Sequence, residues 1–225
     1  VFTSMPNGVS DGNANNDTVQ RTICPALSGV FTINPSGSGS NNFTSFTNAI
    51  SVLMCGGLAG PVTFNVAAAT YNEQVVVPVI PFSSAINTVT FDGGNGNAST
   101  RIINFAGTAA NPSTVLFNGC SNITLRNLYI QASGTTNGWG VNYFNAINCR
   151  INNCIVEIMG VGASSASTNY MGVVMNGSTT SYSSGSSLTT NNTLDSSTVK
   201  YGYYGVYSGA SSSTQLNFFL NNSVL

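Results

Sequence analysis

The chemistry open to this 225-residue chain is limited first by its carboxylates. There are six, Asp11, Asp17, Glu73, Asp92, Glu157 and Asp195, and no two lie within four residues of each other. Glycoside hydrolysis needs two carboxyl groups facing one bond, so folding would have to bring distant ones together. Glu157 and Asp195 sit near the ends of related strands and are the pair to watch. Histidine is absent, which removes Ser-His-Asp and Cys-His catalysis and every Cys/His zinc site. No catalytic residue, metal ligand set or cofactor is expected. Arg126 and Arg150 are placed one repeat apart on the exterior, where a stacked pair can meet an anionic sugar; solvated surface arginines are the plainer reading.

Aromatic residues give the better binding clue. Trp139, Tyr143, Tyr170, Tyr201, Tyr203, Tyr204 and Tyr207 concentrate in the C-terminal half. Some must be core. An exposed row of the others is a platform on which sugars can stack, with Trp139, Tyr143, Tyr170, Tyr204 and Tyr207 as candidates. If residues 201–207 form a strand, alternation puts Tyr203 and Val206 on different faces from Tyr204 and Tyr207, respectively.

What must position these residues is a repeat. Asn122-Ile123-Thr124-Leu125-Arg126-Asn127-Leu128 returns 26 residues later as Asn148-Cys149-Arg150-Ile151-Asn152-Asn153-Cys154. It returns more loosely from Asn191 to Ser197 and again from Phe219 to Ser223. Each copy follows a second apolar element, such as Val115–Gly119 or Gly205–Gly209. A period in the twenties marks a solenoid whose repeats bury their apolar faces only by stacking. Each coil holds two or three short strands between Gly/Asn/Ser corners, about one turn of a parallel β-helix. Asn127, Asn153 and Asn222 fall at one register point, with Ser196 standing in once, and are expected to form a structural ladder of left-handed corner residues. Ser178 to Ser187 reads as an inserted loop at a corner, a solvated spacer by default.

The chain before the repeats reads differently. Residues 1–27 form an extended leader and 28–225 the solenoid domain. Gly29–Ile33 looks like a first strand. One helix is predicted at about 42–55, N-capped by Asn41 or Asn42, with Phe43, Phe46, Ile50 and Leu53 at helical spacing. It would lid the open end of the core. Val224-Leu225 falls where a strand should finish, so further coils are expected beyond 225.

Composition narrows the setting. Charged residues are 5% and hydrophobic residues 42%, with a net charge of -1. That offers no footprint for nucleic acid or anionic membranes. No apolar run is long enough for a membrane span, and Val1 opens without a signal-peptide pattern. Cys24 and Cys55 are candidates for a disulfide in an oxidising compartment. Cys120, Cys149 and Cys154 lie in the repeats, where Cys149 and Cys154 replace Ile123 and Leu128 and read as small buried thiols. Asn-X-Ser/Thr sequons are numerous, as chance allows in such a composition, and Asp17-Thr18-Val19 is similar to an O-glycan acceptor motif of Bacteroidetes.

Phe43-Thr-Ser-Phe-Thr-Asn-Ala-Ile50, Gly60-Pro-Val-Thr-Phe-Asn-Val66 and Thr70-Tyr-Asn-Glu-Gln-Val75 resemble the capping helix and first coil of pectinesterase-type right-handed parallel β-helices. Ala85–Phe91 and Gly119-Cys-Ser-Asn-Ile-Thr-Leu-Arg-Asn-Leu128 look more like large secreted surface proteins of Bacteroidetes. The resemblance spans roughly 28–225. It implies an all-β right-handed parallel β-helix with an N-terminal capping α-helix, an extracellular or cell-surface location and the type 9 secretion route. It also implies a structural role for Glu73 in the first coil. Pectinesterases carry a Gln-Asp dipeptide after the second coil, where this chain has Asn148–Asn153 and no carboxylate. Polygalacturonases need a Gly-His-Gly, and pectate lyases an acidic Ca²⁺ site. The reading is therefore a non-enzymatic adhesin- or stalk-like module, with surface glycans or outer-membrane secretion and anchoring components as partners. The alternative is a polysaccharide lyase or esterase with its chemistry in further coils. Ice binding is a minor third reading, opposed by the lack of a regular Thr-x-Thr array.

Overall fold

The computed structural model describes residues 23–95, 98–159, 167–186, 188–211 and 218–225. Most of the predicted leader lies outside these residues, as do Asp11, Asp17 with its acceptor motif, and Ser187 of the predicted insertion.

The chain winds through three parallel sheets, because no coil can bury both of its faces alone. The first strand, β1 (Leu27–Ile33), pairs in parallel with β2 (Asn42–Phe43), and helix α1 (Phe46–Gly56) follows. Full coils then run β3 (Leu58–Val66), β4 (Ala69–Asn72), β5 (Val75–Val77); β6 (Val89–Asp92), β7 (Arg101–Phe105), β8 (Ser113–Asn118); and β9 (Ile123–Arg126), β10 (Tyr129–Ala132), β11 (Gly138–Phe144). They continue as β12 (Arg150–Asn152), β13 (Ile155–Ile158), β14 (Tyr170–Asn176); and β15 (Asn192–Asp195), β16 (Thr198–Lys200), β17 (Tyr204–Ser208), before β18 (Phe218–Asn221). Each coil gives one strand to each sheet, in the orders β18-β15-β12-β9-β6-β3-β1-β2, β16-β13-β10-β7-β4 and β17-β14-β11-β8-β5.

Register stacks like on like inside. Phe64, Phe91, Leu125, Ile151 and Leu194 form one inward column, and the Phe64 and Phe91 rings stack at 5.1 Å. Tyr71, Ile103, Ile130, Val156 and Val199 form another. Burying each such side chain contributes about 1.5–3 kcal/mol.

The helix begins later than its sequence spacing predicts. Asn42 and Phe43 are strand, held by β1, and Ser45 is the N-cap, its side chain accepting from the Asn48 amide at 3.1 Å. Pairing to a strand outweighs the helical period at Phe43. Phe46, Ala49, Ile50 and Leu53 then bury the inner face of α1 over the end of the core. The Glu73 carboxylate accepts from the Phe46 and Thr47 amides, both at 2.9 Å, and from Thr47 Oγ1 at 2.6 Å. These contacts satisfy amides that a helix start leaves orphaned. A disulfide joins Cys24 to Cys55, tying the approach to β1 to the last turn of α1. Among the described residues, no helix is long and apolar enough to cross a membrane.

The corner between the first and second sheets takes a single left-handed residue in later coils. Asn127, Asn153, Ser196 and Asn222 have φ of 57°, 50°, 49° and 43°. Asparagine tolerates this region better than most residues. The Asn127 side chain bridges coils, donating to Asp92 Oδ1 at 2.7 Å and accepting from Asn153 Nδ2 at 2.6 Å.

Candidate functional site

Trp139, Tyr143 and Tyr170 are buried, which corrects their assignment as sugar-stacking rings. The Tyr143 ring packs on Phe117 at 4.9 Å inside the coil, and its hydroxyl donates to the Thr193 carbonyl at 3.2 Å. Trp139 lies on the outer side of the third sheet but is covered by Met171, Val174, Tyr182 and Tyr207. Its indole N–H donates to the Thr168 carbonyl at 3.3 Å. The Tyr170 hydroxyl donates to the Thr135 carbonyl at 2.5 Å. The two-residue alternation assumed in the sequence reading fails here, since β11 and β14 are covered on both faces.

Tyr204 and Tyr207 do reach the surface, and they bring others with them. Tyr204 is 39% exposed and Tyr203 42% exposed, with ring centroids 4.6 Å apart. Tyr207 lies 5.7 Å from Tyr204 and 5.2 Å from Tyr182. Together these four rings form a tyrosine cluster, of which Tyr182 and Tyr207 rest on Trp139, Met171 and Val174. Tyr182 comes from the predicted inserted loop; nothing in its sequence surroundings pointed to the cluster.

Strict alternation would place Tyr204 and Tyr207 on opposite faces, since they are three apart. A glycine column solves this. Trp139, Met171 and Tyr204 are register partners, and so are Val141, Val173 and Val206. Gly140, Gly172 and Gly205 lie between them. A Cβ on Gly140 would come 2.2 Å from Val156 Cγ1, and one on Gly172 2.4 Å from Val199 Cγ1. Glycine and the following valine therefore both turn inward, and the strand resumes with its next outward side chain three residues on. Tyr204's phenol pKa is raised, chiefly by the neighbouring Tyr203 phenol.

The outer face of the first sheet carries two parallel rows. One runs Thr63, Thr90, Thr124, Arg150 and Thr193; the next runs Asn65, Asp92, Arg126, Asn152, Asp195 and Asn221. Arg126 and Arg150 are thus on adjacent coils but in different rows, and do not stack as the sequence spacing suggested. Arg126 pairs with Asp92 at 2.6 Å and Arg150 pairs with Asp195. Arg150 also interrupts the threonine row, which an ice-matching array would need unbroken.

The described carboxylates all have partners within the scaffold. Glu73 holds α1, as above. Burial pushes the Asp92 carboxyl up, but hydrogen bonds from Arg126, Asn127 and the Gly94 amide outweigh it and leave its pKa below the ordinary value. Asp195 receives Arg150, Asn152 Nδ2 at 3.1 Å and Ser196 Oγ at 3.1 Å. Glu157 accepts from the Tyr129 hydroxyl and lies 3.6 Å from Lys200 Nζ. Glu157 is on the second sheet and Asp195 on the first, so these two do not form a pair. Asp92 and Asp195 share a row three strand spacings apart, roughly 14 Å at ~4.8 Å per step. That exceeds the span of a glycosidase pair, about 5–9.5 Å.

No protein-family model matches the chain, and no curated protein does. Solved structures match its fold. The rice weevil pectin methyl esterase aligns at a TM-score of 0.52 and 13% identity, covering 78% of this chain and 52% of its own. The Aspergillus niger pectin methylesterase gives 0.45 and 16%, covering 90% and 78%. That of Erwinia chrysanthemi gives 0.38 and 13%, covering 79% and 56%. The chain spans about half the length of the rice weevil enzyme. With the parallel three-sheet winding, the first of these likenesses defines the architecture: a right-handed parallel β-helix with an N-terminal capping helix.

Proposed function

We propose that this chain is a non-enzymatic β-helix module of a secreted or cell-surface protein, adhesin- or stalk-like, and that its tyrosine cluster binds glycans. The observation that carries the reading is the set of Tyr182, Tyr203, Tyr204 and Tyr207 rings, partly exposed, with Tyr204 and Tyr207 held on strand β17. Sugar C–H faces pack on aromatic rings, while phenol hydroxyls supply hydrogen bonds at the rim. Rigid aromatics lose little conformational entropy on binding. The cluster lies apart from the charged face of the first sheet, which favours a neutral glycan segment. Arg–Asp pairs on that face serve the coil stack in this account, and the carboxylates are already engaged. Export by the type 9 route, further coils after 225 and anchoring to outer-membrane components complete the proposal. Leu220, in register with the core residue Leu194 yet 44% exposed, supports a further coil.

The second reading is an esterase or lyase acting with residues outside this chain, and the fold shared with a pectin methyl esterase favours it. Methanol release from methylesterified pectin separates the two. The module reading expects none from this chain, alongside glycan binding that is lost in Tyr204→Ala/Tyr207→Ala. Turnover above a buffer blank would overturn it.

A further inference from the structure

The core holds a pair of thiols far from the tyrosine cluster's outer face. Cys120 and Cys149 lie on successive coils, with Sγ atoms 3.7 Å apart. Both are buried, and neither belongs to a strand: Cys120 sits between β8 and β9, and Cys149 just precedes β12. Each follows a residue in left-handed conformation, Gly119 at φ 70° and Asn148 at φ 55°. The backbone at both corners is held, the Cys120 carbonyl accepting from the Ile147 amide at 3.0 Å and the Cys149 amide donating to Asn192 Oδ1 at 2.9 Å, so only the two side chains need turn. Rotation about Cα–Cβ that moves each sulfur by roughly 0.8 Å would close the gap to the ~2.05 Å of a disulfide. The chain already holds one disulfide, Cys24–Cys55, so its setting is oxidising.

We propose that Cys120 and Cys149 form a second disulfide, an internal staple between adjacent coils, leaving Cys154 as the one free thiol. The bond forms by exchange with a disulfide oxidant, either a small-molecule disulfide or a thiol–disulfide oxidoreductase. One cysteine thiolate attacks a sulfur of the oxidant and expels the first thiolate, giving a mixed disulfide. The second cysteine thiolate then attacks the protein sulfur of that mixed disulfide and expels the second thiolate. Two electrons pass to the oxidant, and the two cysteine protons pass to the departing thiolates.

Timing follows from burial. In the closed coil, burial, reinforced by Cys149, pushes the Cys120 thiol well above its ordinary pKa, so thiolate is scarce. Oxidation therefore belongs to folding, before the coil closes, and the finished bond is sealed from reductants. The staple joins coils immediately ahead of the loop that delivers Tyr182, and fixes their register.

The test is refolding of the reduced chain in a mixture of reduced and oxidised glutathione, sampled after Cys24–Cys55 has closed. Remaining thiols are alkylated in denaturant and located by peptide mapping without reduction. The proposal expects one alkylated cysteine, Cys154, and a Cys120–Cys149 cross-linked peptide. Alkylation at Cys120, Cys149 and Cys154 beside an intact Cys24–Cys55 would overturn it, as would a bond from either cysteine to Cys154. A Cys154→Ala variant refolded in the same way must give the same cross-link and no free thiol.

Discussion

Asn153 donates from Nδ2 to Asn127 Oδ1 at 2.6 Å, linking the corner of one coil to that of the next. Asn127 passes the connection on to Asp92, which is itself paired with Arg126. A polar spine thus runs along the corner between the first and second sheets and holds coils that apolar stacking alone would allow to slip.

Asn127→Ala is expected to destabilise the fold by about 2–3 kcal/mol. Left-handed backbone costs alanine roughly 1–2 kcal/mol, and the lost side-chain hydrogen bonds add about 1 kcal/mol. Asn127→Gly relieves the backbone part only, so its loss should be smaller. Denaturant midpoints at unchanged slope measure the order.

Acid should act through Asp92. Its folded pKa is depressed, so its contribution is present above the unfolded value near ~4 and is lost as pH falls through the folded pKa. Stability of the native chain should therefore drop as pH falls below about 4. Asp92→Asn should be less stable at neutral pH and lose less between neutral and acid. Urea midpoints across pH check this.

Alkali should act through Tyr71. Burial, helped by the Glu73 charge, pushes its phenol up to about 12, while the hydroxyl donates to the Ile33 and Ala67 carbonyls at 2.9 and 3.0 Å. A raised folded pKa means that this contribution is complete below the unfolded value near ~10 and is lost as pH rises toward the folded one. Tyr71→Phe should unfold less steeply with pH over that window, as thermal midpoints would record.

Gly172→Ala is expected to cost about 3 kcal/mol. Its Cβ would meet the Gly205 carbonyl oxygen at 2.3 Å and Val199 Cγ1 at 2.4 Å, and the backbone oxygen cannot retreat without moving β17. The same shift would displace Tyr204 and Tyr207, so glycan binding should fall along with the unfolding midpoint. By contrast, alanine at exposed Gly39, whose Cβ would meet nothing, should leave binding intact and cost only the strain of φ 96°.

Spacing made the stack legible: the 26-residue return from Asn127 to Asn153 is one coil, and the corner geometry follows from asparagine chemistry. Glu73 was legible as a structural group through the resemblance, though its two helix amides were not. The aromatic site was only half legible. Strict alternation of outward and inward positions does not hold in the third sheet, because β11 and β14 are covered on both faces and the glycine column breaks the period. Tyr204 and Tyr207 therefore surfaced while Trp139, Tyr143 and Tyr170 did not. The Asp92–Arg126 pair was hidden by the irregular corner after β6, which separates the partners by 34 residues instead of 26.

The most direct test of the central claim is affinity electrophoresis of the folded chain through gels containing single polysaccharides. The panel would include low- and high-ester pectin, galactan, xylan, mannan and soluble chitin. The account predicts retardation by at least one of them, removed in Tyr204→Ala/Tyr207→Ala while the variant remains folded and unfolds cooperatively. Free migration through every gel, or retardation that survives the double substitution, would contradict it.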